Sequence, residues 1–244
     1  LMSWIAALLI GIAVTDLVPS VSPGRLLPQM VGAVAVMLAG LAAGLSSGAD
    51  VAALTMIMAV VLLWGFAVTR AFGRGPFWLP LVLLALTLVG LVGFSGEASE
   101  AGGPLREWLD GVGVPLLQGL SPDRLLLLIG AFGVQLSTGN VLVRLVLKGT
   151  GTINPMRDGS MPATPLKGGR LLGPLERVFI LVLALAGQIT AASIVVAAKG
   201  LLRFPELSAQ GEQRHVHNMT EYFLVGSFVS WMVALSSVVL LAGG

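Results

Sequence analysis

Residues 169–204 read GRLLGPLERVFILVLALAGQITAASIVVAAKGLLRF: a basic entry, a long apolar middle and a basic exit. The middle, about 20 residues, matches the hydrocarbon core of a bilayer, so the stretch reads as one transmembrane helix. Arg177, Gln188 and Lys199 follow one another at intervals of eleven residues. At 100° per residue, successive members fall only about 20° out of line, which puts all three on one face. The two cations would stand about 33 Å apart, one near each surface, with the Gln188 amide at mid-depth. Polar groups are costly in lipid, so the stripe is expected to face protein or water.

The rest of the chain agrees in character. Its 244 residues are 56% hydrophobic and 11% charged, with a mean hydropathy of +0.94. That excludes ordinary soluble and disordered classes and points to an all-α polytopic transmembrane bundle. A net charge of +2 is small, and the basic residues lie mainly in loops, which suits membrane orientation and not nucleic-acid binding. Cysteine is absent, which removes disulfides, thiolate metal sites, iron–sulfur clusters and cysteine nucleophiles.

Six further apolar stretches bring the expected total to about seven spans: residues 1–18, 26–45, 51–69, 77–94, 121–148 and 219–242. The first lacks a basic n-region and reads as a transmembrane helix, not a cleaved signal. Asp16, at its far end, is expected to be solvated at the interface, with an ion-coupling carboxylate as the alternative. Gly40 and Gly44 have the spacing that lets helix backbones approach closely; Trp64 lies near the end of the third span, with Arg70 and Arg74 just beyond, and Trp78 at the entrance of the fourth suits the headgroup region. Residues 96–120 change character, with Glu97, Glu100, Glu107 and Asp110 interrupted by glycine and proline; a short interfacial helix near 104–110 would carry Trp108 as an anchor. Three regions follow: a four-helix membrane region at 1–95, an acidic extracytoplasmic loop at 96–120, and a three-helix membrane region at 121–244.

Ser121-Pro122-Asp123 marks a helix start, with a capping hydroxyl, proline at the first helical position and an acid in the first turn. Within that fifth span, Gly130, Gly133, Ser137, Asn140 and Arg144 form a small and polar seam. Ser227, Ser230, Ala234 and Ser237 repeat it in the last span, which predicts that the two seams pack together. Asn218 and Glu221 have capping-box spacing at the start of the last span.

With seven spans, nine of the 14 basic residues, from Arg25 to Arg177, fall on one side, and Arg106, Arg124, Lys199, Arg203 and Arg214 on the other. The positive-inside rule then places the N-terminus outside and the C-terminus inside. At the outer end, Lys199 and Arg203 come near Glu221, Tyr222, His215 and His217. An ion pair from Lys199 to Glu221 competes there with an anion site in which Arg203 supplies a planar fork. At the inner end, Arg144, Lys148, Arg170 and Arg177 gather with Glu176 and Asn140, a cluster that anionic lipid headgroups would satisfy. Two loop histidines without a third ligand make no metal site. The chain carries no P-loop, Rossmann glycine pattern, nucleophile elbow or HExxH motif, so neither a catalytic residue nor a cofactor is expected.

Several blocks of the C-terminal half occur together in order: Thr138-Gly-Asn-Val-Leu-Val-Arg144, Gly169 to Arg177, Gly187-Gln188, Ala198-Lys199, Arg203-Phe204 and Glu221 to Ser227. Across residues 135–242 they resemble a bacterial multi-pass inner-membrane family whose function is uncharacterised; Pro174 and Ser227 depart from its pattern. The resemblance implies a membrane protein and carries no activity.

Two functions are compatible with this reading. One is a small transporter, translocase or channel-like bundle that recognises an anionic or lipid-phosphate group through Asn140, Arg144, Arg177, Gln188, Lys199, Arg203 and Glu221. The other is a non-catalytic accessory or scaffold subunit. An intramembrane enzyme would need an acid, base or nucleophile beside the basic groups, and only Glu176, Glu221 and the histidines are available. The expected partners are anionic membrane lipids and a second membrane protein, with no nucleic acid.

Overall fold

In the computed structural model, residues 2–18, 26–115, 117–152, 169–208 and 213–243 are described; side chains at 169, 170, 199, 200, 202–208 and 213–219 are not. Arg25, Arg157 and Lys167 fall outside the described residues. The described chain is helical without strands: α1 (Ser3–Leu17), α2 (Leu27–Ala42), α3 (Gly48–Phe72), α4 (Trp78–Gly93), α5 (Gly103–Gly111), α6 (Pro122–Leu136), α7 (Thr138–Gly149), α8 (Gly169–Leu185), α9 (Ile189–Ser208) and α10 (Gln213–Ala242). It divides into two compact units, one of Leu1–Thr138 with Leu240–Gly244, the other of Gly139–Val239.

In the first unit α1 is the central helix. Its sequence is apolar on every side, and eleven of its fifteen residues are buried, because α2, α3 and α6 surround it. Glycines permit the approach. A Cβ on Gly130 of α6 would stand 2.8 Å from Leu9 Cβ, and one on Gly133 would stand 2.9 Å from Ala13 Cβ. Ser137 Oγ then donates to the Ala13 carbonyl at 2.7 Å. The small-residue seam of the fifth span therefore packs, through Gly130, Gly133 and Ser137, on α1. α4 is equally apolar but buries only Pro80 and Leu91, so most of its surface demands an apolar surrounding.

Two reciprocal contacts fix α1 against α3. Trp4 Nε1 of α1 donates to Asp50 Oδ1 of α3 at 2.8 Å. One helix length on, Trp64 Nε1 of α3 donates to both carboxylate oxygens of Asp16 in α1, at 3.1 and 3.2 Å. Both pairs ascend together along the chain, so α1 and α3 run parallel. Trp64 is 1% exposed and Asp16 half-buried, and the two are joined by this interhelical bond.

Parallel packing gathers the N-termini of α1, α3 and α6 at one end, where the acidic segment closes over them. Asp50 belongs to a capping box with Ser47, and its Oδ1 also accepts the Ser99 N–H at 3.2 Å. Ser3 Oγ donates to the Ser99 carbonyl, and Asp123 Oδ2 accepts the Ala101 N–H at 2.8 Å. Carboxylates at helix N-termini complement the positive dipole ends, which gives a physical reason for acid to collect here. Gly44 ends α2 at φ +68°, with Gly44 and Leu45 N–H groups returning to Leu41 and Gly40 carbonyls. Gly44 also touches the backbone of Gly103, where α5 begins, so it serves as a turn while Gly40 packs on Leu54. The helix expected near 104–110 is α5, and Ser121 caps α6 as expected, accepting from the Arg124 N–H.

In the second unit, the single long helix expected over 169–204 is two helices. Gly187 adopts φ +73°; its N–H bonds to the Ala184 carbonyl and that of Gln188 to Leu183, a Schellman termination of α8. α9 starts afresh at Ile189. Ile180 of α8 and Ala192 of α9, which one straight helix would hold about 18 Å apart, meet in one cluster with Ala234 of α10. α9 continues to Ser208 and α10 begins at Gln213, so Glu221 lies inside α10 and not at its cap.

By length and composition, α3 and the Thr220–Ala242 part of α10 are long and apolar enough to cross a membrane, and the broken pair α6 and α7 would make a third. The helices at the first, second and fourth expected spans have 15 or 16 residues. That is about 24 Å of helix, short of a hydrocarbon core of about 30 Å.

If the two indole–carboxylate contacts set the register of α1 on α3, double-mutant cycles for Trp4→Phe with Asp50→Asn, and for Trp64→Phe with Asp16→Asn, will each give a coupling of about 1–2 kcal/mol in detergent unfolding. Additive single-variant effects at either end would show that this contact does not hold the helices.

Candidate functional site

The site the sequence singled out centres on Arg177 in the second unit. α8 carries it on the turn after Pro174, and it is 1% exposed although it is a guanidinium in an apolar helix. Such a group is tolerated only where its donors find acceptors. Nη2 donates to Asn140 Oδ1 of α7 at 2.8 Å, and Nη1 donates to Ser230 Oγ of α10 at 3.1 Å. One planar fork thus ties three helices.

Gly139 makes room for it. A Cβ there would stand 2.6 Å from Arg177 Nε and 2.7 Å from Cζ, so the guanidinium lies directly on the glycine backbone. Beside it, Trp231 Nε1 of α10 donates to Glu176 Oε1 of α8 at 2.9 Å. At the far end of α7 a further Schellman turn at Gly151, φ +70°, presents Thr152, whose Oγ1 donates to Glu221 Oε1 at 3.3 Å. Between these ends Gly226 of α10 approaches Val143 and Leu147 of α7.

The structure therefore brings Asn140 of α7 and Arg177 of α8 together and gives Glu221 of α10 a separate contact with Thr152, just beyond the end of α7. Arg144 is exposed on α7. Gln188 is exposed in the turn between α8 and α9, so it neither shares a helix face with Arg177 nor marks mid-depth of one span. Lys199 and Arg203 lie on α9, but their side chains, like those of Arg170, Arg214, His215 and His217, are outside the described residues. The α10 seam also differs from expectation: Ser230 meets Arg177 of α8, and Ala234 meets Ile180 of α8 and Ala192 of α9.

Sequence reasoning missed Gly139, Trp231 and the pairing of Ser230 with Arg177. The available signal was periodicity: Ser230 and Ala234 are four apart on one face, and Arg177 and Ile180 are three apart on another. The order in which such faces meet is not written in either helix. As chemistry, the cluster is a hydrogen-bonded cation closed off by its own acceptors. Glu176 and Ser230, the groups nearest to a base or nucleophile, are each engaged by a neighbour.

Removing Asn140 Oδ1 leaves a buried donor without its acceptor, so Asn140→Ala is expected to lower stability by about 1–3 kcal/mol in thermal unfolding followed by circular dichroism. Gly139→Ala, which drives a methyl into the guanidinium, should cost a similar amount. Combining Arg177→Met with Asn140→Leu and Ser230→Ala should restore most of the loss, as removal of a whole buried polar set commonly does. A triple variant weaker than Asn140→Ala alone would show that the guanidinium has a task besides joining these helices.

No family model, curated protein or solved structure matches the chain.

Proposed function

We propose that the protein is a multi-pass bacterial inner-membrane protein acting as a non-catalytic accessory or scaffold subunit of a membrane assembly. The observation that carries this reading is the closure of Arg177: its guanidinium is 1% exposed and directed at Asn140 and Ser230. A transporter or translocase of anionic groups needs a cation presented to its cargo, and its path along Arg177, Gln188 and Lys199 loses its basis when Gln188 stands in an exposed turn. The apolar surfaces of α3, α4 and α10, with Phe66, Leu86, Val89 and Phe228 all exposed, suit lipid or a second membrane protein.

One observation favours a narrower role within it. Arg144 and Lys148 are exposed four residues apart towards the end of α7, the spacing of one helix face. Paired cations at a membrane surface attract anionic headgroups by about 1 kcal/mol each, which supports anionic lipid as a bound partner.

Orientation follows from charge. In the first unit the acidic segment covers the N-termini of α1, α3 and α6, while Arg70 and Arg74 lie at or beyond the opposite end of α3. Basic loops favour the cytoplasm, so the acidic end and the N-terminus face outward. A seven-span arrangement with an inside C-terminus requires the short helices to cross a locally thinned bilayer.

Because the chain has no cysteine, single reporters need no background removal. Glu100→Cys should react with a membrane-impermeant maleimide in intact cells, and Arg74→Cys only after permeabilisation; the reverse pattern overturns the orientation. For the role itself, the full chain should co-purify with a defined membrane partner in native lipid, and substitutions on exposed α4 residues such as Val89→Trp should release it. Reconstituted anion flux abolished by Arg177→Met would instead support the transporter.

A further inference from the structure

Between α5 and the start of α6 the first unit holds a cleft of about 220 Å³, lined by Arg106, Leu109 and Asp110 of α5 and by Leu117, Leu120 and Ser121 of the segment that follows. Gly119, at φ +79°, turns that segment, with the Leu120 N–H returning to the Leu117 carbonyl, and Pro122, the first residue of α6, completes the lining. Sites that enclose a whole small molecule run to about 300–1,000 Å³, so this cleft has room for a headgroup and not for a complete amphiphile.

Its two charged side chains are set against the local energetics of their own helix. Arg106 stands near the start of the nine-residue α5 and Asp110 in its last turn. The positive end of a helix dipole disfavours a cation and the negative end an anion, so each charge occupies the less favourable end. A cation four residues before an acid is also the weaker of the two orders for an intrahelical pair. Both side chains are exposed, one turn apart, and among the described residues neither makes a hydrogen bond or an ion pair. Ser121 Oγ accepts the Arg124 N–H at 3.3 Å, which leaves its hydroxyl hydrogen to donate. Trp108, on the same short helix, is 52% exposed, as suits a ring at headgroup depth.

We propose that this cleft binds the phosphoethanolamine headgroup of a zwitterionic phospholipid, its phosphate on Arg106 and Ser121 and its ammonium on Asp110. Two opposite charges joined by a two-carbon linker match two side chains that stand about 6 Å apart along the helix axis. Their order matches as well: the phosphate lies toward the positive end of α5 and the ammonium toward the negative end, so each ligand charge is attracted by a side chain and by the helix end behind it. A lone anion would meet Asp110, and a lone cation would meet Arg106. Leu109, Leu117 and Leu120 give the cleft an apolar side for the glycerol and the first acyl carbons. The inference rests on the membrane placement proposed above and not on the accessory role.

Native mass spectrometry of the full chain, titrated in detergent with phosphatidylethanolamine, phosphatidylcholine or phosphatidylglycerol of identical acyl chains, tests it. Phosphatidylethanolamine should bind about tenfold more tightly than phosphatidylglycerol, which lacks the ammonium, and more tightly than phosphatidylcholine, whose quaternary ammonium has no N–H to donate. Asp110→Asn should bring phosphatidylethanolamine down to the level of phosphatidylglycerol, whereas Arg106→Gln should weaken all three lipids by about tenfold. Both positions are exposed, and circular dichroism should show both variants folded like the parent. Equal affinity for the three lipids, or a phosphatidylethanolamine preference indifferent to Asp110→Asn, overturns the proposal. Free phosphoethanolamine competing at the same concentration as the lipid overturns the lipid assignment in favour of a soluble zwitterion. A chain that stays in carbonate-washed membranes but shows no headgroup preference overturns the site alone; a chain that the wash releases overturns the membrane placement on which it rests.

Discussion

α1 and α3 run parallel and exchange indole–carboxylate hydrogen bonds near both ends, Trp4 to Asp50 and Trp64 to Asp16. In an apolar medium helices gain little by hiding hydrophobic surface from one another, so packing and a few polar contacts must choose the register. A slip of one residue moves each partner by about 1.5 Å along the axis and 100° around it, enough to break both contacts together. With α1 fixed in this way, the glycines of α6 close on its other flank and α2 fills the third. The gathering of three N-termini under the acidic segment follows from the same parallel arrangement.

The second unit meets the same constraint with a different group. A guanidinium has several donors in one plane, so Arg177 joins α7 and α10 to α8 where each indole joins only a pair of helices. This requires a residue without a side chain beneath it, which Gly139 provides. Glycine has three separate uses in this chain: close approach at Gly130, Gly133 and Gly139, reversal of the chain at Gly44, Gly151 and Gly187, and backbone contact between Gly44 and Gly103. Composition alone does not separate them.

Gly187 shows why a hydropathy pattern misleads here. The apolar run through 169–204 is continuous, and the interval from Arg177 to Gln188 to Lys199 suits one straight helix. Nothing in the apolar residues themselves opposes a break, and a glycine in a helix costs only about 1 kcal/mol. The break becomes favourable when Ile180, Ala192 and Ala234 can pack together, a gain available only in the presence of α10. Gln188 then moves from the supposed middle of a membrane path to an exposed turn.

Several features were determined by sequence alone because their causes are local. Helical character follows from long apolar runs; the start of α6 follows from Ser121-Pro122-Asp123, and α5 from a short amphipathic segment after glycine and proline. Arg177 and Asn140 stood out because charged and amide groups are expensive in apolar helices. Their partners were decided by tertiary structure, since Ser230 lies 53 residues from Arg177 and Asp50 lies 46 from Trp4. Periodicity fixes which residues share a face but not which face it meets. That choice depends on how donors, acceptors and glycines from distant helices can be satisfied at once, and it joined Asp16 and Trp64, 48 residues apart, in a contact that aligns two helices.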